Sequence, residues 1–149
     1  MGARIEWEGE TLVVKKSGKL RGMRIDANPF IDATPLLATL ACFAEGPTEI
    51  YNAAIARRKE SDRLFAIAQE LRKMGGIIEE EADGLRILPS PLRGATLFSH
   101  RDHRIALSLT VAALAAQGES KIEGADCIAK SYPHFASSFQ ESGARIAWR

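Results

Sequence analysis

Several things are scarce in this sequence, and each shortage removes a class of protein. The 149 residues contain two cysteines, Cys42 and Cys127, and no CxxC pair. They offer neither a disulfide framework nor a cysteine zinc site, and they suit a reducing compartment. No run approaches the ~20 apolar residues that a membrane span requires. The opening Met1-Gly2-Ala3-Arg4-Ile5-Glu6-Trp7 lacks the apolar stretch of a signal peptide. One-signed charge is missing too: the formal net charge is +1, with acidic and basic residues interspersed. That excludes the basic stripe of a nucleic-acid binder. The chain therefore reads as cytoplasmic, with no membrane and no nucleic acid among its partners. What it has in quantity is apolar residues, 46%, enough to build the core of one ordinary domain.

Cations stand where helices are about to begin. Lys59-Glu60-Ser61-Asp62-Arg63, Asp102-His103-Arg104 and Cys127-Ile128-Ala129-Lys130-Ser131-Tyr132-Pro133 each read as a loop-to-helix junction. The amino end of a helix carries partial positive charge, so a lysine or arginine there is unfavourable by about 0.3–1 kcal/mol. Three such junctions predict a shared anion, a multiply charged phosphate or carboxylate compound.

The chain also repeats itself. Leu20-Arg21-Gly22 returns as Leu92-Arg93-Gly94, Gly46 as Gly118 and Ile50 as Ile122, each 72 residues later. Met1-Gly2-Ala3-Arg4-Ile5 has echoes at Met74-Gly75-Gly76-Ile77-Ile78 and at Ser142-Gly143-Ala144-Arg145-Ile146. So long a period with mixed elements marks a duplicated subdomain and not a solenoid. The units run from about 1 to 73 and 74 to 141, with a further one opening at 142–149.

Periodicity and punctuation predict the elements. In the first copy, strands are expected at Ala3–Glu8, Thr11–Lys16 and Met23–Ala27. A helix follows at Ala33–Ala44, with Asp32 as N-cap and Gly46 at its end. Next come a strand at Thr48–Asn52 and a helix at Asp62–Met74, stopped by Gly75-Gly76. Leu64, Ile67, Ala68 and Leu71 on that helix form one apolar stripe. The second copy gives strands at Ile77–Glu81, Leu85–Pro89 and Ala95–Phe98, and a helix at Arg104–Ala116 that is apolar nearly all round and so expected to be central. A strand at Lys121–Gly124, a helix at Tyr132–Ser142 capped by Ser131, and a last strand at Ala144–Arg149 complete it. The class is α/β (α+β by some schemes), with helices on one face of a sheet. Both ends fall at unit boundaries, so the chain reads as a piece of something longer.

The string Arg58-Lys59-Glu60-Ser61-Asp62-Arg63, the Asp102-His103-Arg104 helix start and Lys130-Ser131-Tyr132-Pro133 resemble the 5-enolpyruvylshikimate-3-phosphate synthase family. The likeness runs in order from about Ile25 to Ala144. It implies the last third of an enzyme built from six βαβαββ units in two domains. This chain would hold about two tandem units of an inverted α/β enolpyruvyl transferase domain, incomplete at both ends. The implied reaction moves the enolpyruvyl group of phosphoenolpyruvate to the 5-hydroxyl of shikimate 3-phosphate and releases phosphate, through a tetrahedral intermediate, in aromatic amino acid biosynthesis. No cofactor and no metal is implied.

The resemblance also implies roles. Asp32, by local sequence a plain N-cap, matches the aspartate that accepts the hydroxyl proton. Glu60 matches the glutamate that moves protons at the phosphoenolpyruvate carbon, and Lys59 the lysine on the same hydroxyl as Asp32. By themselves, Lys59 and Glu60 read as a solvated loop. Arg63, Arg104 and Lys130 match the cations that hold phosphoenolpyruvate, where guanidinium forks suit carboxylate and phosphate. Asp102 is expected to cap the Arg104 helix and His103 to pack or hydrogen-bond beside it. Arg57, Arg58 and Arg101 read as solvated or supporting. His100 and His103 lack a third ligand for a metal, and His134 reads as a surface histidine. Ile55 stands where some members place an asparagine that contacts the shikimate phosphate, with Asn52 as a substitute.

The resemblance further implies that the remaining binding cations belong to an N-terminal domain absent here, a partner the chain requires, so the chain alone is expected to fold without turning over. Other readings compete: a relative of UDP-N-acetylglucosamine enolpyruvyl transferase, a non-catalytic phosphate-binding βαβαββ module, or a relative of RNA 3′-phosphate cyclase. The small net charge argues against the last.

Overall fold

The computed structural model describes residues 1–15 and 18–148. It opens with an antiparallel hairpin, β1 (Arg4–Glu8) and β2 (Thr11–Lys15). Lys16, expected in the second strand, lies outside the described residues. Then come β3 (Arg24–Asp26), a 3₁₀ helix Asn28–Ala33, α1 (Thr34–Cys42), β4 (Thr48–Tyr51), a 3₁₀ helix Ala54–Arg58, α2 (Arg63–Lys73), β5 (Ile77–Glu81) and β6 (Gly84–Leu88). These strands make a four-stranded sheet in the order β3-β4-β6-β5. β3 and β4 are parallel, while β6 runs antiparallel to β4 and to β5. The chain continues through β7 (Thr96–Phe98), α3 (His103–Ala115), β8 (Lys121–Glu123), a 3₁₀ helix Ala125–Lys130 and α4 (Phe135–Glu141). β7 and β8 again pair in parallel. Parallel strands joined by helices make this an α/β fold. Among the described residues, no helix is long and apolar enough to cross a membrane.

The sequence repeat is a backbone repeat. Arg21 bridges Glu45 in parallel as Arg93 bridges Gln117, and Arg24↔Glu49 in β3–β4 matches Thr96↔Lys121 in β7–β8. The shared Leu-Arg-Gly has a steric cause. Gly22 N–H donates to Glu45 O and Gly94 N–H to Gln117 O, both at 2.7 Å. A Cβ on Gly94 would lie 2.0 Å from Glu119 O, and one on Gly22 would lie 2.3 Å from Gly46 O. Only a residue without a side chain permits that approach. The hydrogen-bonded sheet runs from Arg24 to Leu88 and so straddles position 73. A repeat fixes a period, and strand pairing sets its phase.

Each strand of the larger sheet alternates. Ile25, Ile50, Ile78, Leu85 and Ile87 are buried, and the outer face carries Arg24, Glu49, Arg86 and Glu79 in one cross-strand row of alternating sign. Leu64, Ile67, Ala68 and Leu71 on α2 are all fully buried, as their spacing predicts. Each such leucine or isoleucine contributes about 1.5–3 kcal/mol. α2 ends in a Schellman motif: Gly76 N–H donates to Leu71 O (2.8 Å) and Gly75 N–H to Arg72 O (3.0 Å), with Gly75 at φ 93°. α3 packs against α1, α2 and the last 3₁₀ helix and buries Ile105, Ala106, Leu109 and Ala112, the central place its composition requires.

Two expectations fail at the far end. Ala144–Trp148 is irregular and not a strand, with Arg149 outside the described residues. A strand exists through its ladder, and among the described residues no strand pairs with this segment. Ser131 does not cap α4. It closes the 3₁₀ turn that ends at Lys130, and α4 begins at Phe135 behind the exposed His134.

Candidate active site

Three junctions meet on one side of the molecule. At the start of α2, Asp62 is the N-cap, and its Oδ1 accepts from Phe65 N–H at 3.0 Å. Arg57 fixes that cap: its NH1 reaches Asp62 Oδ2 (2.9 Å) and Glu80 Oε1 (2.8 Å), while Nε donates to Ala82 O (2.9 Å). At the start of α3, Asp102 is the N-cap and accepts from Arg104 N–H at 2.9 Å, as expected. α1 departs from expectation: Ala33 is its N-cap and no side chain caps it. Asp32 is the last residue but one of the preceding 3₁₀ helix, where its carboxylate is drawn to three cations instead.

Arg63 is the hub. It is 2% exposed, donates from Nε to Asp102 Oδ2 at 2.7 Å and from NH1 to Asp32 Oδ1 at 2.7 Å, and its NH2 lies 3.6 Å from Glu60 Oε2. Asp32 also meets Lys59 Nζ (3.4 Å) and Arg104 NH2 (3.3 Å). Glu60 pairs with Lys130 Nζ, and its Oε2 sits 2.7 Å from His103 Nδ1. That last pair is misaligned for a hydrogen bond, so the buried ring nitrogen has no hydrogen-bond partner. Every residue assigned to the site from sequence thus falls into one network. Lysines and arginines at 59, 63, 104 and 130 face carboxylates at 32, 60 and 102 and outnumber them by one.

The sequence model of the family described as EPSP synthase (3-phosphoshikimate 1-carboxyvinyltransferase) matches residues 1–139. The chain belongs to the EPSP synthase family. A 3-phosphoshikimate 1-carboxyvinyltransferase of Chlamydia caviae is 47% identical over 146 residues, 98% of this chain and 32% of that protein. Its counterpart in Chlamydia abortus is 50% identical over 135 residues, 91% of this chain and 30% of the relative. The chain therefore spans about a third of the length of the curated relatives it matches. Among solved structures, an EPSP synthase of Acinetobacter baumannii superposes with a TM-score of 0.84 at 32% identity, covering 93% of this chain and 35% of that one. The enolpyruvyl transferase NikO of Streptomyces tendae gives 0.81 at 26% identity, covering 97% and 33%.

The electrostatics of the network follow from the pairings. Burial pushes the Asp102 carboxyl up, but Arg63, the Arg104 N–H and Ser61 hold it below its ordinary value. Burial also opposes the charge on Asp32, and Arg104, Arg63 and Lys59 together outweigh it and keep that carboxyl low. Burial works against the Arg63 charge in turn, and Asp102 and Asp32 raise its pKa. Glu60, Asp102 and His103 each bring one ligand atom within 4.8 Å of the others. Yet both Asp102 oxygens are taken by Arg63, Ser61 and the Arg104 N–H, and Lys130 stands on Glu60. Such surroundings suit an anion, not a metal ion. His100 points elsewhere, to Glu70.

Sequence reasoning missed some partners and misread one. Asp102 does more than cap α3, since it carries Arg63; Ser61 joins it at 3.1 Å. Of the three flanking arginines read as solvated or supporting, Arg57 supports the Asp62 cap, whereas Arg58 and Arg101 are exposed. Lys130 ends a 3₁₀ helix, so it sits at a carbonyl end, where a cation is favoured. The Asn52 amide donates to Asp26 Oδ1 at 3.1 Å, and Ile55 is exposed on the 3₁₀ helix just before Lys59.

Proposed function

We propose that this chain supplies one wall of the active site of a cytoplasmic 3-phosphoshikimate 1-carboxyvinyltransferase. Its substrates are phosphoenolpyruvate and shikimate 3-phosphate, and the opposite wall comes from the remaining two thirds of the enzyme. The chain holds about two βαβαββ units of that enzyme's C-terminal domain. The observation that carries the reading is the Asp32 carboxylate held by Arg63, Arg104 and Lys59, next to Glu60 held by Lys130.

In this reading the cations are already gathered and only exchange partners. The carboxylate and phosphate of phosphoenolpyruvate draw Arg104, Lys130 and one edge of Arg63 away from Asp32 and Glu60. Asp102 keeps the other edge of Arg63, so the guanidinium does not drift. Asp32, ionised but a weak base while three cations hold it, becomes more basic as two of them leave. It then takes the 5-hydroxyl proton of shikimate 3-phosphate, with Lys59 on the same oxygen. The oxygen adds to the central carbon of phosphoenolpyruvate while Glu60 delivers a proton to the methylene carbon. Glu60 then takes a proton back from the new methyl group, and phosphate leaves with the proton that Asp32 took, so both side chains return to their starting states.

The test supplies the N-terminal two thirds of the Chlamydia caviae relative to this chain and follows phosphate release from phosphoenolpyruvate. Release is expected only with both pieces and only with shikimate 3-phosphate. It is expected to fall by about 100-fold or more in Glu60→Gln, the scale of losing a general acid–base group. Turnover by the chain alone, or an undiminished rate in Glu60→Gln, would refute the assignment.

A further inference from the structure

Arg104 occupies the repeat position of Asp32, 72 residues on, and the two side chains pair at 3.3 Å. The halves reach these positions differently. In the first, Asn28–Ala33 forms a 3₁₀ helix and α1 begins at Thr34. In the second, His100 and Arg101 take left-handed backbone angles, φ 51° and 56°, and α3 begins at His103. Helix α3 therefore starts three residues earlier in the repeat than α1, which places Arg104 in its first turn. Two consecutive left-handed residues with a Cβ are disfavoured and persist only where their surroundings hold them.

Helix α2 supplies the hold. Arg63 and Glu70 are seven residues apart on it, two turns, and so share a face. Arg63 grips Asp102 at one end of the turn. Glu70, fully buried, grips the other end: Oε2 accepts from Phe98 N–H at 2.9 Å and Oε1 meets His100 Nε2 at 3.0 Å. Lys73, on the exposed side, completes its shell at 2.7 Å. Between the grips, Ser99 Oγ donates to Gly124 O at 2.7 Å and accepts from Arg101 N–H at 3.0 Å. A carboxylate serving only Lys73 on its own helix would be cheaper at the surface. This one is buried and aimed at the strained turn.

We propose that Glu70 and His100 are a positioning pair for the active site. Their contact holds the left-handed His100–Arg101 turn and thereby sets the register at which Asp102 meets Arg63 and Arg104 meets Asp32. The effect on substrate binding rests on the functional reading above; the effect on Arg63 does not.

The test uses this chain and NMR. The hydrogen-exchange rate of the Arg63 Nε–H, bonded to Asp102, is compared with that of the Ile50 and Leu85 amides in the core sheet. In Glu70→Gln and His100→Ala, Arg63 Nε–H exchange is expected to rise at least tenfold relative to those amides. In Lys73→Ala the ratio is expected to stay within twofold. If Glu70→Gln does not fold, His100→Ala at its partly exposed position carries the test. A constant ratio in the folded variants, with Arg63 and the core losing protection together, would overturn the proposal and leave Glu70 a purely structural group. Phosphoenolpyruvate titrated into the same samples is expected to bind at least threefold more weakly to the variants. Failure to bind the parent chain would count against the functional reading, while the Arg63 ratio still decides this one.

Discussion

Removing the Asp102 carboxylate is the sharpest available test of how the site is built. In Asp102→Ala, Arg63 stays buried and loses its contacts to Oδ1 and Oδ2, while α3 loses its cap. Taking one partner from a buried ion pair costs about 3–5 kcal/mol, and an N-cap deletion adds about 1 kcal/mol. Asp32 still holds Arg63 NH1 at 2.7 Å, which keeps the sum near the lower limit. The expected loss is about 4 kcal/mol, or about 8–16 °C in Tm at the usual 2–4 °C per kcal/mol for a chain of this size. Urea unfolding followed by far-UV circular dichroism measures it. Glu49→Ala is the control: its pair with Arg24 is largely exposed, so about 0–1 kcal/mol is expected. Arg63→Met combined with Asp102→Ala should cost clearly less than the two changes summed, because no unpaired buried charge remains. An Asp102→Ala loss under about 1 kcal/mol, or strict additivity in the double variant, would refute the buried-pair account.

Acid should weaken the fold with a definite sign. The Asp32, Asp102 and Glu70 carboxyls titrate below their ordinary values of 3.8, 3.8 and 4.5 in the folded chain, so the unfolded chain binds protons first. Their contribution is fully present above those ordinary values and is lost as pH falls through the lower folded ones. Urea midpoints taken from neutral pH downward should hold until about pH 4.5 and then decline; a midpoint that rises on acidification would contradict this. Gly94→Ala places a Cβ against Glu119 O and should destabilise by about 1–3 kcal/mol. Gly18→Ala, whose Cβ would meet nothing within 4 Å, should be nearly neutral in the same denaturation assay.

Much of the architecture is legible in the sequence because it is local. The stripe Leu64, Ile67, Ala68 and Leu71 needs one helix and one core to be understood, and Asp62 and Asp102 cap helices by their own short side chains. The 72-residue period is legible because equal sequences at Gly22 and Gly94 answer equal steric demands. Where the readings failed, a non-local partner decided. Asp32 has the sequence of an N-cap, but three cations from α2, α3 and the loop before α2 take its oxygens. The last segment would be a strand only beside a neighbour, and among the described residues none pairs with it.

The period, most helices and strands, and the charged residue types of the site can thus be read along the chain, since these depend on neighbours a few positions away. The tertiary structure alone decided the phase of the sheets, which follows from strand pairing. It alone decided that Arg63 lies buried between Asp32 and Asp102, contacts that join residues 31 and 39 positions apart. Charges so far apart in the chain interact strongly only after folding removes the water between them.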